Sequence, residues 1–160
     1  NEMGLFLQKT NIIRDFAEDL EQGRIFWPEA SWKEKAPTLH QLQADEKSGL
    51  AALNEVIFNA LSHVPACLEF LECLENQKVF RFCAIPQLMA IATLKALYNN
   101  PEVLHKNVKI RKGKTAKYFM SIQDFDSTKK EFISILNSLA KKDNTGKIKS
   151  LLSQIQNERK

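Results

Sequence analysis

Glycine and proline are scarce, five of each in 160 residues. So few turn-formers argue against an all-β protein with its many tight connections. No GxGxxG occurs, so a nicotinamide cofactor would not be held in the Rossmann manner. The three cysteines, Cys67, Cys73 and Cys83, form neither a CxxC pair nor an even disulfide set. They read as buried thiols of a reducing compartment. The three histidines, His40, His63 and His105, lie too far apart in sequence for a His-based metal motif. The longest apolar stretch, Phe82 to Leu94, is interrupted by Pro86 and Gln87. It falls short of the ~20 residues that cross a bilayer.

What remains is a globular composition, 44% hydrophobic and 26% charged. The length suits one domain with a real core. The net charge of +4 is too small to imply nucleic acid by itself. The charges are unevenly placed, with acids gathered between Asp15 and Glu75 and bases from Lys106 onward. The chain opens on Asn1 inside an apparent helix, which predicts a piece of a longer protein.

Apolar spacing predicts helices throughout. The first covers Met3 to Glu21, with Leu5, Ile12, Phe16 and Leu20 on one face, and is stopped by Gly23 and Pro28. Phe26 to Gly49 reads as a loop with one short helix near Ala30 to Lys35. Further helices are predicted over Leu50 to Ser62, from Pro65 to about Asn76, and over Val79 to Tyr98. The last of these is apolar almost all round, the mark of a core helix. Pro86 removes the partner of the Phe82 carbonyl, so a kink is predicted there, with Phe82 and Cys83 beside it. Asn107 to Lys114 reads as a basic loop, and two amphipathic helices follow, centred on Phe125 to Leu139 and Ile148 to Ile155.

The most informative stretch is QKTNIIRDFAEDLEQGR, Gln8 to Arg24. On a helix, Gln8, Asn11, Asp15 and Asp19 fall within an arc of about 80°. Asp15 and Asp19, one turn apart, repel unless something offsets their charge. A divalent cation would do so, since Mg²⁺ binds one or two carboxylates together with substrate phosphate. A solvated helix face has the same spacing, and the pair alone does not separate the two readings. Arg14 and Arg24 could take diphosphate oxygens in bidentate fashion, or neutralise Glu18 and Glu21. Phe16, Phe80 and Phe82 are candidate walls for a cation-tolerant apolar cavity, although each could equally be core. The basic run from Lys106 to Lys117 is either solvated or a phosphate-binding loop. Its lack of interleaved aromatics disfavours nucleic acid.

MGLFLQKTNIIRDFAEDLEQGRIFWP resembles the second aspartate-rich motif of the squalene synthase family. VFRFCAIPQLMAIATL and VKIRKGK resemble two further segments of that family, in the same order. The resemblance runs from Met3 to about Lys117. Its core would also fit phytoene synthases, but the FWP, FCAIPQ and KIRKG segments favour the squalene branch. It implies an all-α isoprenoid-synthase fold with a central cavity, residues 1–160 being a partial domain from its C-terminal half. The first aspartate-rich motif would lie upstream of Asn1, so the chain alone is expected not to turn over.

The implied reaction joins two farnesyl diphosphates head to head, then rearranges and reduces the product with NADPH to squalene. By position, Asp15 and Asp19 would hold Mg²⁺ against a diphosphate, with Gln8 and Asn11 lining the same pocket. Arg14 and Arg24 would support the departing diphosphate, and Phe82 and Cys83 would line the apolar cavity, Phe82 with a catalytic role. Lys109, Arg111 and Lys112 would lie near the phosphates of NADPH or on a loop over the site. An endoplasmic reticulum membrane setting is implied for the full-length enzyme, whose usual anchor this chain lacks. The alternatives are a phytoene or dehydrosqualene synthase, and a non-catalytic helical interaction module.

Overall fold

The computed structural model describes residues 1–157. In chain order the helices are α1 (Glu2–Arg14), α2 (Phe16–Glu21), α3 (Glu29–Trp32), α4 (Leu39–Ala44), α5 (Glu46–Leu61) and α6 (Val64–Glu72). They continue with α7 (Gln77–Leu97), a 3-10 turn (Pro101–Leu104), α8 (Lys112–Ser121), α9 (Phe125–Ala140) and α10 (Lys147–Asn157). No strand occurs among the described residues, in keeping with the all-α prediction.

Helix α7 organises the molecule. The Asn76 side chain starts it by accepting the N–H groups of Lys78 and Val79, two donors that no helical carbonyl can reach. It packs against α1, α6, α8 and α9. Phe80, Leu88, Ile91, Leu94 and Leu97 are buried along it. At 21 residues it is long and apolar enough to cross a membrane, unlike the shorter run read from the sequence, but half of its apolar window is buried in the protein. Helix α7 continues unbroken through Pro86. The carbonyl of Cys83 takes a hydrogen bond from the Gln87 side chain at 3.1 Å. Gln87 itself is fully buried, and its Oε1 has no partner.

The structure departs from the sequence prediction in four places. The predicted first helix is two helices joined at Asp15, whose φ of −92° and ψ of 9° lie outside the helical basin. The stretch Phe26 to Gly49 is more ordered than a loop, holding α3, α4 and the first turn of α5. Gly49 lies inside α5 because a Cβ there would come within 2.5 Å of Leu104 Cδ1 and 3.0 Å of the Leu42 carbonyl oxygen. There α5 packs closely on α4 and the 3-10 turn. Helix α8 begins at Lys112, inside the stretch read as a basic loop; no helix was predicted there because α8 buries none of its residues and so lacks a strong apolar stripe. Of the thiols, Cys67 and Cys83 are buried, but Cys73 is exposed. Burial pushes the Cys67 thiol up to about 12, leaving it an unreactive core group.

Candidate functional site

The acidic helix is shaped by its ending. Gly23, at φ +70°, turns the chain back as only glycine does without strain. Its N–H bonds the Leu20 carbonyl at 3.0 Å, and the Arg24 N–H bonds the Asp19 carbonyl at 2.8 Å. This paired closure returns Arg24 over the residue it must meet. Its guanidinium bonds Asp19 Oδ1 through Nη2 at 2.7 Å and Nε at 3.1 Å. Neither bond uses Asp19 Oδ2. The Trp27 ring, 4.2 Å between centroids from Phe16, holds the following segment against α2.

Asp15, at the joint between α1 and α2, is bound more fully. Arg14 grips both its oxygens at 2.8 Å. Asn107, 92 residues away, donates from Nδ2 to Oδ1 at 2.7 Å. The Arg14 hydrogen bonds hold the Asp15 carboxyl below the usual carboxylate range, against a partial burial that raises it. Asn107 and the charge of Lys109 add to the lowering. The repulsion between the two aspartates is therefore offset by arginine. Arg14 and Arg24 neutralise Asp15 and Asp19, not the Glu18 and Glu21 considered from sequence.

The remaining predicted residues divide. Gln8 and Asn11 are exposed on α1. Gln8 lines a mostly apolar cavity of about 470 Å³ between α1, α3 and α5, with Leu5, Ile12, Phe26 and Phe58 among its walls. Phe82 and Cys83 do not line this cavity. Phe82 is 80% exposed and Cys83 is buried, so the two point apart across α7. Phe16 and Phe80 are core residues, each 3% exposed. Lys109, Arg111 and Lys112 are exposed, while Val108 and Ile110, each just before one of the first two, pack on the core. Asn107 thus brings the basic segment to the acidic helix. No sequence signal marks Asn107, because its role rests on one contact made across the fold.

The donors suit a hard cation. Two carboxylates one turn apart, one with an oxygen outside its arginine contact, match the one or two that Mg²⁺ takes while keeping water and phosphate. No group of three or more His, Cys, Asp or Glu side chains able to hold a metal exists among the described residues. For NADPH, Lys109, Arg111 and Lys112 present exposed positive charge.

A helical layer around a central apolar helix, rimmed by paired acids and bases, is here the architecture of an isoprenoid-synthase fold, as its solved neighbours show. The complex of TcSQS with the ligand E5700 superposes at a TM-score of 0.92 with 38% identity, covering 97% of this chain and 48% of that one. Residues 1–114 match the squalene/phytoene synthase family, and the chain belongs to that family. It is 56% identical to the squalene synthase of Saccharomyces cerevisiae over 115 residues, 71% of this chain and 26% of the relative. It is 50% identical to the human squalene synthase over 131 residues, 81% of this chain and 31% of the relative. The chain thus spans about a third or less of these curated relatives.

Proposed function

We propose that this chain supplies one acidic half of a squalene synthase site, which condenses two farnesyl diphosphates and reduces the product with NADPH. The observation that carries the reading is the pair Asp15 and Asp19, one turn apart, each held by its own arginine. Bound at these carboxylates, Mg²⁺ would supply charge neutralisation for a leaving diphosphate. Arg14 and Arg24 are then free to turn their guanidinium forks to diphosphate oxygens, an exchange of one planar anion for another. Gln8 and Asn11, exposed on the same helix, would face that anion.

Phe82 supports the reading by its exposure. A large aromatic side chain 80% open to solvent is costly to leave uncovered. As a cavity wall it would shield a carbocation from water and tolerate its charge. Buried Cys83 would support that wall from behind. Lys109, Arg111 and Lys112 would take the phosphates of NADPH. A lipid substrate and product fit a full-length enzyme at the endoplasmic reticulum membrane.

Calorimetric titration with Mg²⁺ and a farnesyl diphosphate analogue tests the site. Binding should require Mg²⁺ and vanish in Asp15→Ala; binding that ignores either change sinks the metal role and favours a plain interaction module. With NADPH withheld, the intact protein should stop short of squalene, whereas an unchanged product points to a phytoene or dehydrosqualene synthase. The 160-residue chain alone should make no squalene from farnesyl diphosphate, Mg²⁺ and NADPH.

A further inference from the structure

Asn107 is the polar tie between the basic segment and the acidic helix. Around it the chain alternates, with Val108 and Ile110 packed on the core and Lys109 and Arg111 exposed. Its Nδ2 donates to Asp15 Oδ1 at 2.7 Å. Its own Oδ1 is buried and has no hydrogen-bond partner. A buried acceptor left unpaired costs stability unless another group fills it. Leucine at this position would carry no such cost. The amide donates to a carboxylate on one side and offers an unused acceptor on the other.

We infer that Asn107 is a positioning residue: its amide N–H holds the Asp15 carboxylate, and its free oxygen accepts from a water carried by a cation at Asp15. This rests on the reading of Asp15 as a magnesium ligand. An ionised carboxylate has about four lone-pair sites. In this structure Arg14 occupies two and Asn107 one. A cation arriving at Asp15 repels the Arg14 guanidinium but not a neutral amide, so Asn107 is the contact that survives. Hydrated Mg²⁺ turns water O–H donors outward, the polarity that Asn107 Oδ1 lacks. The consequence is a linkage. Occupancy at Asp15 strengthens the hold on residue 107, and through it orders residues 106–112, which bear Lys109, Arg111 and Lys112.

The test uses the intact protein, Mg²⁺ and inorganic pyrophosphate. Two quantities are read: Mg²⁺ affinity by calorimetry, and amide hydrogen exchange of residues 106–112 with and without Mg²⁺. In the unmodified protein Mg²⁺ should slow exchange in that segment. Asn107→Leu, which removes both hydrogen bonds at similar size, should weaken Mg²⁺ binding by about 10-fold or more, as losses behind a metal ligand do. Its exchange should no longer respond to Mg²⁺. Asn107→Asp carries the test if the leucine variant does not fold. It sets a second negative charge against Asp15, so exchange should be fast without Mg²⁺ and fall sharply with it. Asn107→Leu with unchanged affinity and an unchanged exchange response overturns the inference, as does Asn107→Asp that exchanges like the unmodified protein in both conditions. Asp15→Asn separates the two levels. If it leaves Mg²⁺ affinity intact, the metal reading itself fails; if it abolishes binding while Asn107→Leu does not, only the role of Asn107 fails.

Discussion

Two regions of this protein use polar side chains for opposite ends. In the helical body, α4 to α7 with α9 and α10, they finish helices. Thr38, Asn76, Asn100 and Asp124 accept from N–H groups at helix starts. Asp143 accepts from the N–H groups of Thr145 and Ile148, and from Tyr98. Along the rim, from Gln8 to Arg24 and from Lys106 to Met120, polar side chains instead grip the two aspartates. Asp15 is held by Arg14 and Asn107, and Asp19 by Arg24. The rim also leaves Ile25, Phe26, Phe119 and Met120 exposed beside it. A cap bond is replaced only by unfolding, whereas an ion pair at a half-open site can be exchanged for a ligand. The body is therefore built for stability, and the rim is where the proposed chemistry would take place.

That division breaks most visibly if body substitutions prove cheap. Phe132, fully buried in α9, should cost about 3–5 kcal/mol as Phe132→Ala, for lost transfer energy plus a cavity. Urea unfolding measures it, and a cost under 1 kcal/mol would mean that the body is loosely packed. Gly49→Ala should cost about 1–3 kcal/mol by overpacking, because the new methyl group meets both the flexible end of Leu104 and the fixed carbonyl of Leu42. Compensation by Leu104→Ala should be only partial, since the backbone oxygen remains. Asp124→Ala removes one side of the capping box that Asp124 and Ser127 form at the start of α9. It should lower stability by about 1 kcal/mol without altering Mg²⁺ binding.

Acid should loosen the rim locally at Asp15. Asp15 has a folded-state pKa below its ordinary value, chiefly through its Arg14 hydrogen bonds. Its contribution is therefore present above the unfolded carboxylate pKa of about 3.9 and is lost as pH falls through the lower folded value. Below about pH 4, local exchange near residues 14, 15 and 107 should rise in the unmodified protein. In Asp15→Asn that pH dependence should flatten. A variant that kept the same acid response would place the titrating group elsewhere.

The sequence made the body legible because its signals are local and repetitive. Periodic leucines and Pro65 in the first turn of α6 each announce an element within a few residues. Half of the rim was legible for the same reason, since Asp15, Asp19 and Arg24 lie within three helical turns. The rest was not. That Arg14 and Arg24 choose the aspartates over neighbouring glutamates depends on the joint at Asp15 and the turn at Gly23, which fix side-chain direction. Asn107 depends on a meeting across 92 residues. Helix α8 escaped notice because it buries nothing, and hydrophobic spacing reports only on faces that pack.

Phe82 gives the smallest expected change in stability and the sharpest separation of the two regions. It lies on α7, the central helix, yet its ring is 80% exposed while its neighbour Cys83 is 9% exposed. By position it belongs to the body, and by exposure to the rim. An exposed side chain that packs on nothing changes stability by no more than about 0.5 kcal/mol when truncated. Phe82→Ala should therefore unfold in urea with the unmodified protein. If the ring is a cavity wall of the assembled enzyme, the same variant should lose turnover at least about 10-fold while still binding Mg²⁺ and pyrophosphate, because on the proposed reading those ligands would meet α1 and α2, not α7. Phe82→Tyr should restore most of that turnover, since it keeps the ring face. A loss of stability with no loss of turnover would return Phe82 to the body and leave the rim confined to the acidic helices and the basic segment.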